Sequence, residues 1–370
     1  MPNSVTIDLS ALAHNLQQIM AFTGRESKIM GIVKSDAYGH GLLPASRTLE
    51  KHGIDCLGVA YLHEARELRN GGVKVPIVIL CGIQTRDESR EVVEKDLTPV
   101  LFDLTVAETL AQESARLGKT THIHLKVDTG MGRLGIAYTE VVPFVQRILA
   151  LKGLELKAFT SHLSSAAEPT GDFTETQVRH LKKAIDAGRS MGVDLSLNHL
   201  ANSAGIMGHK NAHFEMVRPG ILLYGGLPSP EFVNPISIRP AMHLKGKILQ
   251  IRDLPDHTPV SYGRTYYTKG PSQVAVLSAG YGDGLPRSMS NLGKVLVKGK
   301  RSPIVGMICM NLTVCDITGR EHVKLGDEAV FLGSQGTQTI TGDDIARWAG
   351  TISYEVFCSI GQRNKKEYLS

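Results

Sequence analysis

The sequence predicts an α/β protein in two parts: an N-terminal (β/α)8 barrel of the TIM type over residues 1–235, and a mainly β domain over residues 236–370. Three observations predict it. Through the first part, short apolar β-branched runs alternate with amphipathic stretches, and such alternation means parallel strands joined by crossover helices. The unit repeats eight times, which suits a closed barrel better than an open sheet. Beyond a proline-rich stretch, the texture changes to short strands between Gly-rich turns.

The expected barrel strands are 29–34, 56–60, 77–80, 98–101, 122–127, 156–161, 195–198 and 215–218. Helices with apolar residues at three- and four-residue spacing are expected at 42–52, 62–70, 104–117, 140–151 and 174–191, and one more, 11–22, precedes the first strand. A doubly wound sheet is the competing arrangement. It would place G-x-G-x-x-G after the first strand, where this chain has V-K-S-D-A-Y-G-H-G. Segment 228–240 carries four prolines and reads as a linker. After it, strands are expected at 244–251, 273–278, 294–297, 304–310 and 328–332, and helix only in the last ~30 residues, with Asp343 and Asp344 as caps before 345–348.

Composition excludes several functions. With 42% hydrophobic and 21% charged residues in 370, the chain reads as soluble and globular. A net charge of +5 with no concentrated Lys/Arg run does not suit nucleic acid. No window approaches the ~18 apolar residues of a membrane span, and MPNSVTIDLS lacks a basic region followed by an apolar run. The five cysteines are scattered with no C-x-x-C pair, so neither a disulfide frame nor a metal site is expected. A reducing cytoplasm is the expected compartment.

The informative feature is where polar residues fall, because the C-terminal rim of a barrel carries its chemistry. Lys34 ends the first strand. Lys126 lies late in the fifth, and Arg133 follows in D-T-G-M-G-R-L-G. His162 ends the sixth strand, Asn198 and His199 the seventh, and Arg218 the eighth, before Pro219, Gly220 and Ile221. A lysine at a rim can simply extend to solvent; a desolvated one becomes a nucleophile able to form a Schiff base. Ser203 is an N-cap on one reading. On the other it joins the Gly220 and Ile221 amides as an anion site, since loops after strands seven and eight often bind phosphate. Arg218 is either a structural ion pair or a group facing a cofactor ring nitrogen. Arginine cannot give up its proton, so it would keep a pyridine unprotonated and favour simple proton transfer. Tyrosines beside glycines at 260–266, 280–284 and 352–356 usually pack at turns; one used as a base needs nearby cations to lower its pKa.

Taken together, these segments resemble the alanine racemases, fold-type III pyridoxal-phosphate enzymes. I-V-K-S-D-A-Y-G-H-G, K-V-D-T-G-M-G-R-L-G, S-H-L, A-N-S-A, V-R-P-G-I, V-S-Y-G-R-T-Y, G-Y-G-D-G, I-C-M and Y-E-V-F-C fall in that family's order and spacing along nearly the whole chain. The resemblance implies racemisation of L- and D-alanine by two bases, with D-alanine going to bacterial peptidoglycan. Lys34 would hold pyridoxal 5'-phosphate as a Schiff base and act on the D-alanine side; Tyr262 would act on the L-alanine side, reaching the barrel of the other subunit of a homodimer. Tyr38, Asn202, Ser203, Gly220, Ile221 and Tyr354 resemble the phosphate end of the cofactor site, His162 the histidine near the cofactor, and Arg218 the arginine on its ring nitrogen. Arg133 and the Met310 amide resemble the substrate-carboxylate contacts, Lys126 a lysine carbamylated in many members, and Tyr281 and Arg287 entrance residues. Two positions depart from the pattern: Asn311 stands where the family usually has aspartate, and Ala167 where many members have an acidic entrance residue. A racemase for serine or a broader set, a fold-type III decarboxylase, a non-catalytic cofactor carrier and a cofactor-free barrel aldolase using Lys34 are the alternatives.

Overall fold

The computed structural model describes residues 3–24, 26–168, 172–229 and 235–370. Residues 230–234 of the expected linker lie outside this set. Parallel strands Lys28–Ile32, Cys56–Val59, Ile77–Ile79, Thr98–Leu101, Thr121–Asp128, Leu154–Thr160 and Met216–Val217 form the barrel. It closes where Lys28 and Ile29 pair with Met216 and Val217. Between the last two strands the wall is a single residue: His199 bridges Thr160 on one side and Met216 on the other.

The expected strand 195–198 is therefore corrected to one bridging residue. Asn198 explains why. Its side chain competes for the ladder, its Oδ1 accepting from Phe159 N at 2.8 Å and its Nδ2 donating to Leu195 O and Glu215 Oε2, both at 2.9 Å. The barrel interior and the helix layer share one apolar core that continues into the β domain through Tyr224, Phe331 and Phe357.

In the β domain the long strand Met242–Leu254 organises the sheet. Bulges at 244–245 and 248–250 turn it so that it pairs with Ser4–Asp8, Glu328–Gln335 and Ser272–Ser278. Ser4–Asp8 also pairs in parallel with Lys366–Leu369. Residues from both ends of the described chain thus lie side by side in the second sheet, and neither strand was expected. The expected strand 304–310 is corrected to two, Lys300–Pro303 and Leu312–Asp316. Gly306 breaks it with a φ of +75°, its N–H held by Asn291 Oδ1 at 2.6 Å. Helix Gly342–Ala349 is capped by Thr341, not by Asp343 or Asp344: Thr341 Oγ1 accepts from Asp344 N, and Asp344 Oδ2 accepts from Thr341 N. Among the described residues, no helix is long and apolar enough to cross a membrane.

Candidate active site

Lys34 leaves the first barrel strand into a turn of the opposite hand. Ser35, Asp36, Ala37 and Tyr38 all take φ between 53° and 56°, followed by Gly39 at 81°. Left-handed backbone costs L-residues roughly 1–2 kcal/mol each, so this turn forms only because its surroundings over-determine it. Glu64 Oε1 accepts from Ser35 N at 2.5 Å. Asp36 accepts from Leu42 N at 2.7 Å and pairs with Lys366 Nζ at 2.7 Å. Buried His40 places Nδ1 3.1 Å from the Ala37 and Tyr38 carbonyls, and the backbone of helix Ser353–Arg363 packs against Gly39 too closely for a side chain there.

The turn aims Tyr38 at the end of the eighth strand. A Cβ on Gly220 would lie 2.5 Å from Tyr38 Oη, so this glycine keeps the space open. Ser203 Oγ accepts from Gly220 N at 3.0 Å, and Asn202 caps the helix that Ser203 begins, accepting from Gly205 N at 3.0 Å. Tyr38 stacks on Tyr224 with centroids 4.9 Å apart and lies 5.7 Å from Tyr354. Burial raises the pKa of both Tyr38 and Tyr354, keeping them as neutral O–H donors. Two phenols, one serine hydroxyl and the Gly220–Ile221 amides suit a phosphate dianion.

Arg218 is buried and fully engaged at its tip. Its Nη1 lies 2.7 Å from His199 Nδ1; its Nη2 donates to Ser161 O at 2.8 Å and Leu200 O at 3.0 Å and lies 3.1 Å from His162 Nδ1. Burial lowers its pKa to about 10, so it remains a cation at neutral pH. Burial and the neighbouring cations, Arg218 first, hold His162 and His199 neutral, well below the ordinary imidazole range. No carboxylate pairs with Arg218 among the described residues, which leaves a rigid buried cation, held by carbonyls and imidazoles, beside a space able to hold an aromatic nitrogen.

Lys126 sits in the same wall. Burial, then the charges of Arg218 and Arg133, lower its ammonium pKa to about 7. The loop to Arg133 is folded around Asp128, whose Oδ1 accepts from Gly130 N at 2.8 Å and Met131 N at 2.9 Å and whose Oδ2 accepts from Gly132 N at 3.0 Å. A cavity of about 620 Å³ joins these elements, lined by Lys34, Tyr38, Lys126, Arg133, His162, Asn202, Ser203, Arg218, Gly220, Ile221 and Tyr354.

Four expected site residues stand elsewhere. Tyr262, Met310, Tyr281 and Arg287 do not line the cavity. They belong to the β domain, where Tyr262 is 70% and Met310 58% exposed. The Tyr262 loop runs between the short strands Pro259–Val260 and Tyr266–Tyr267. Ser261 Oγ pins it to Met307 O at 2.6 Å. Next to it, Gly282 N donates to Met310 O at 2.7 Å and Tyr281 N to Cys309 O at 3.0 Å. Tyr262 and Met310 thus stand exposed on two loops joined by the Ser261–Met307 hydrogen bond.

The chain matches the family models described as "Alanine racemase, N-terminal domain" over residues 7–228 and "Alanine racemase, C-terminal domain" over residues 241–368. The chain belongs to the alanine racemase family. It is 41% identical to "Alanine racemase 2" of Caldanaerobacter subterraneus over 100% of this chain and 95% of that protein, and 40% identical to the alanine racemase of Syntrophobacter fumaroxidans over 98% and 96%. The crystal structure of alanine racemase from the D-cycloserine producer Streptomyces lavendulae superposes with a TM-score of 0.93 at 33% identity, covering 100% of this chain and 97% of that one. That from Streptomyces coelicolor gives 0.92 at 32%, covering 100% and 98%.

At the two positions that depart from the family pattern, the geometry is local. Asn311 Nδ2 donates to Asp283 Oδ2 at 3.4 Å, and the same carboxylate oxygen accepts from Gly280 N at 2.9 Å. Ala167 is half-buried, and exposed Glu168 follows it. Sequence reasoning missed Glu64, Asp36 and Lys366, which hold the turn after Lys34. Only Glu64 carried a signal: it stands three residues after Tyr61, the capping-box spacing at the start of helix Leu62–Asn70.

Proposed function

We propose that this chain interconverts L- and D-alanine with pyridoxal 5'-phosphate held in the cavity, working as a cytoplasmic homodimer that supplies D-alanine for bacterial peptidoglycan. One observation carries the reading: a lysine, a polar cradle and a buried arginine with no carboxylate partner among the described residues converge on one cavity, while Tyr262 and Met310 stand exposed elsewhere on the same chain. The donor set suits the cofactor at three points: Lys34 for its aldehyde, the Tyr38–Ser203–Gly220–Ile221 cradle with Tyr354 for its phosphate, Arg218 for its ring nitrogen. When bound, the cofactor supplies an electron sink that acidifies the α-hydrogen of an amino acid.

Racemisation removes a proton from one face of a flat carbon and returns one to the other. Two groups must therefore flank it. Lys34 Nζ serves one face, and Tyr262 Oη, brought by the partner copy's β domain, serves the other. We accordingly divide the labour at 235/236, with residues 1–235 supplying the cofactor lysine and 236–370 the second base. Arg133 and the Met310 amide hold the substrate carboxylate; Tyr354 and Tyr262 narrow the space to a methyl group; Tyr281 and Arg287 border the entrance. Lys126, a neutral amine above about pH 7, can take up CO₂ with loss of a proton, and the resulting negative charge would orient Arg133.

The purified enzyme should be yellow, borohydride should fix the cofactor on Lys34, and L-alanine should be racemised far faster than L-serine. Fixation on another lysine would overturn the cofactor assignment, and preference for L-serine the substrate. Mixing a Lys34 variant with a Tyr262 variant should restore activity by subunit exchange; no restoration would reject the shared site.

A further inference from the structure

Below the cavity floor the barrel contains a second buried histidine. His124 shares a face of strand Thr121–Asp128 with Lys126, two residues deeper. Barrel interiors are normally filled by branched apolar side chains, and a buried histidine needs its polar atoms satisfied. His124 Nδ1 lies 2.9 Å from His199 Nε2, and His199 Nδ1 lies 2.7 Å from Arg218 Nη1 and 2.8 Å from Thr160 Oγ1.

The proton positions in this row follow from one fact. Arginine has donors and no acceptor. His199 Nδ1 must therefore present its lone pair to Arg218, and Thr160 shares that acceptor as a second donor. A neutral His199 with an acceptor at Nδ1 carries its proton on Nε2, which points at His124. His124 Nδ1 must then be an acceptor, and its own proton sits on Nε2. A proton on His124 Nδ1 would face the His199 Nε2–H. It would drive His199 into the other tautomer and set an N–H against the Arg218 guanidinium. Burial keeps His124 neutral, its pKa lowered to about 3, in accord with this arrangement.

We propose that His124 is a positioning residue for the racemisation: its Nδ1 accepts the His199 Nε2–H and so fixes the imidazole whose Nδ1 holds Arg218 at the cofactor's ring nitrogen. The role in catalysis rests on the function proposed above; the hydrogen bond from His199 to His124 does not. Three polar side chains in line thus reach from the barrel interior to the ring, and only the last of them meets the cofactor.

The test is imidazole ¹⁵N NMR on the enzyme with and without pyridoxal phosphate, joined to two substitutions. In the unaltered protein, both histidines should show Nδ1 unprotonated and Nε2 protonated, with or without cofactor. His124→Asn keeps an acceptor near the Nδ1 position and should preserve the His199 signature. His124→Phe removes it, and the His199 Nε2–H, left without its acceptor, should shift upfield in ¹H and ¹⁵N and exchange faster with solvent. In the loaded enzyme, His124→Phe should lower kcat on the order of tenfold, as expected for one orphaned buried hydrogen bond, shift the cofactor's absorption maximum, and leave KM for alanine within about twofold. His124→Asn should recover most of that loss. A protonated Nδ1 on His199 in the unaltered protein, or identical His199 signatures in both variants, would overturn the proposal. Should His124→Phe fail to fold, the unaltered protein and His124→Asn still decide it through their ¹⁵N shifts. Absence of cofactor binding would count against the proposed function and leave the tautomer result standing.

Discussion

Glu64→Gln isolates what holds Lys34 in place. The Glu64 carboxylate accepts three backbone N–H groups: Ser35 at 2.5 Å through Oε1, and Ala60 at 2.7 Å and Tyr61 at 3.2 Å through Oε2. Glutamine keeps the shape and turns one oxygen into a donor. Its remaining oxygen satisfies more donors on the Ala60–Tyr61 side, so the N–H left facing an N–H is that of Ser35. One hydrogen bond to a charged group contributes about 1.5–3 kcal/mol, and each 1.4 kcal/mol is tenfold in an equilibrium. Opening of the turn at 35–38 should therefore become roughly 10- to 150-fold more frequent. Amide hydrogen exchange reads this directly: Ser35 should lose protection by that factor, while amides of the barrel strand Cys56–Val59 keep theirs. Borohydride fixation of the cofactor on Lys34 should fall in parallel. If Ser35 exchanges within about threefold of its original rate, the clamp is not what stabilises the turn.

Four further outcomes are expected. Lys126 should be the fastest lysine to react with an amine-directed acylating reagent as pH rises through about 7, read by peptide mass spectrometry; a midpoint in the ordinary lysine range would reject its desolvation. The same shift carries a stability signature: between about 7 and the usual lysine pKa of 10.5, the unfolded chain holds a proton that the native state lacks. This site therefore stabilises the fold progressively as pH rises across that window, and Lys126→Met should flatten that part of a stability–pH curve. Gly220→Ala places a Cβ 2.5 Å from Tyr38 Oη and should weaken pyridoxal-phosphate binding on the order of 10- to 100-fold (about 1.4–2.8 kcal/mol), measured by equilibrium dialysis. Tyr262→Phe should leave cofactor binding intact, since Tyr262 does not line the cavity of its own chain, yet slow α-hydrogen exchange from L-alanine more than from D-alanine; equal residual exchange from both would reject the two-base assignment.

Much of the barrel was legible because its signal is periodic and local: apolar strands recur with amphipathic helices between them. The cavity residues were legible for the opposite reason. Lys34, His162 and Arg218 interrupt that pattern at strand ends, where burial of a polar group demands a use. What stayed hidden depends on partners distant in sequence. Ser4–Asp8 becomes a strand only because Met242–Leu254 and Lys366–Leu369 flank it. The seventh barrel strand shrank to His199 because the Asn198 side chain took backbone partners for itself. The turn after Lys34 gave little warning: Asp takes positive φ more readily than most residues, but Ser, Ala and Tyr do not, and nothing in the sequence announces four such residues in succession. His124 looked like one more residue of a buried strand until His199 was found beside it.

The ion pair between Asp36 and Lys366 has a consequence for biosynthesis. A ribosome emits Lys34 early and Lys366 more than three hundred residues later. The barrel segment can collapse as it emerges, because its strands pair mainly with near neighbours in sequence. At that stage the lysine turn is held through Glu64 without Lys366, since the Asp36–Lys366 pair and the strands that flank Ser4–Asp8 have yet to be made. A nascent chain thus carries a shaped cavity whose lysine turn lacks its second fastening until Lys366 is made.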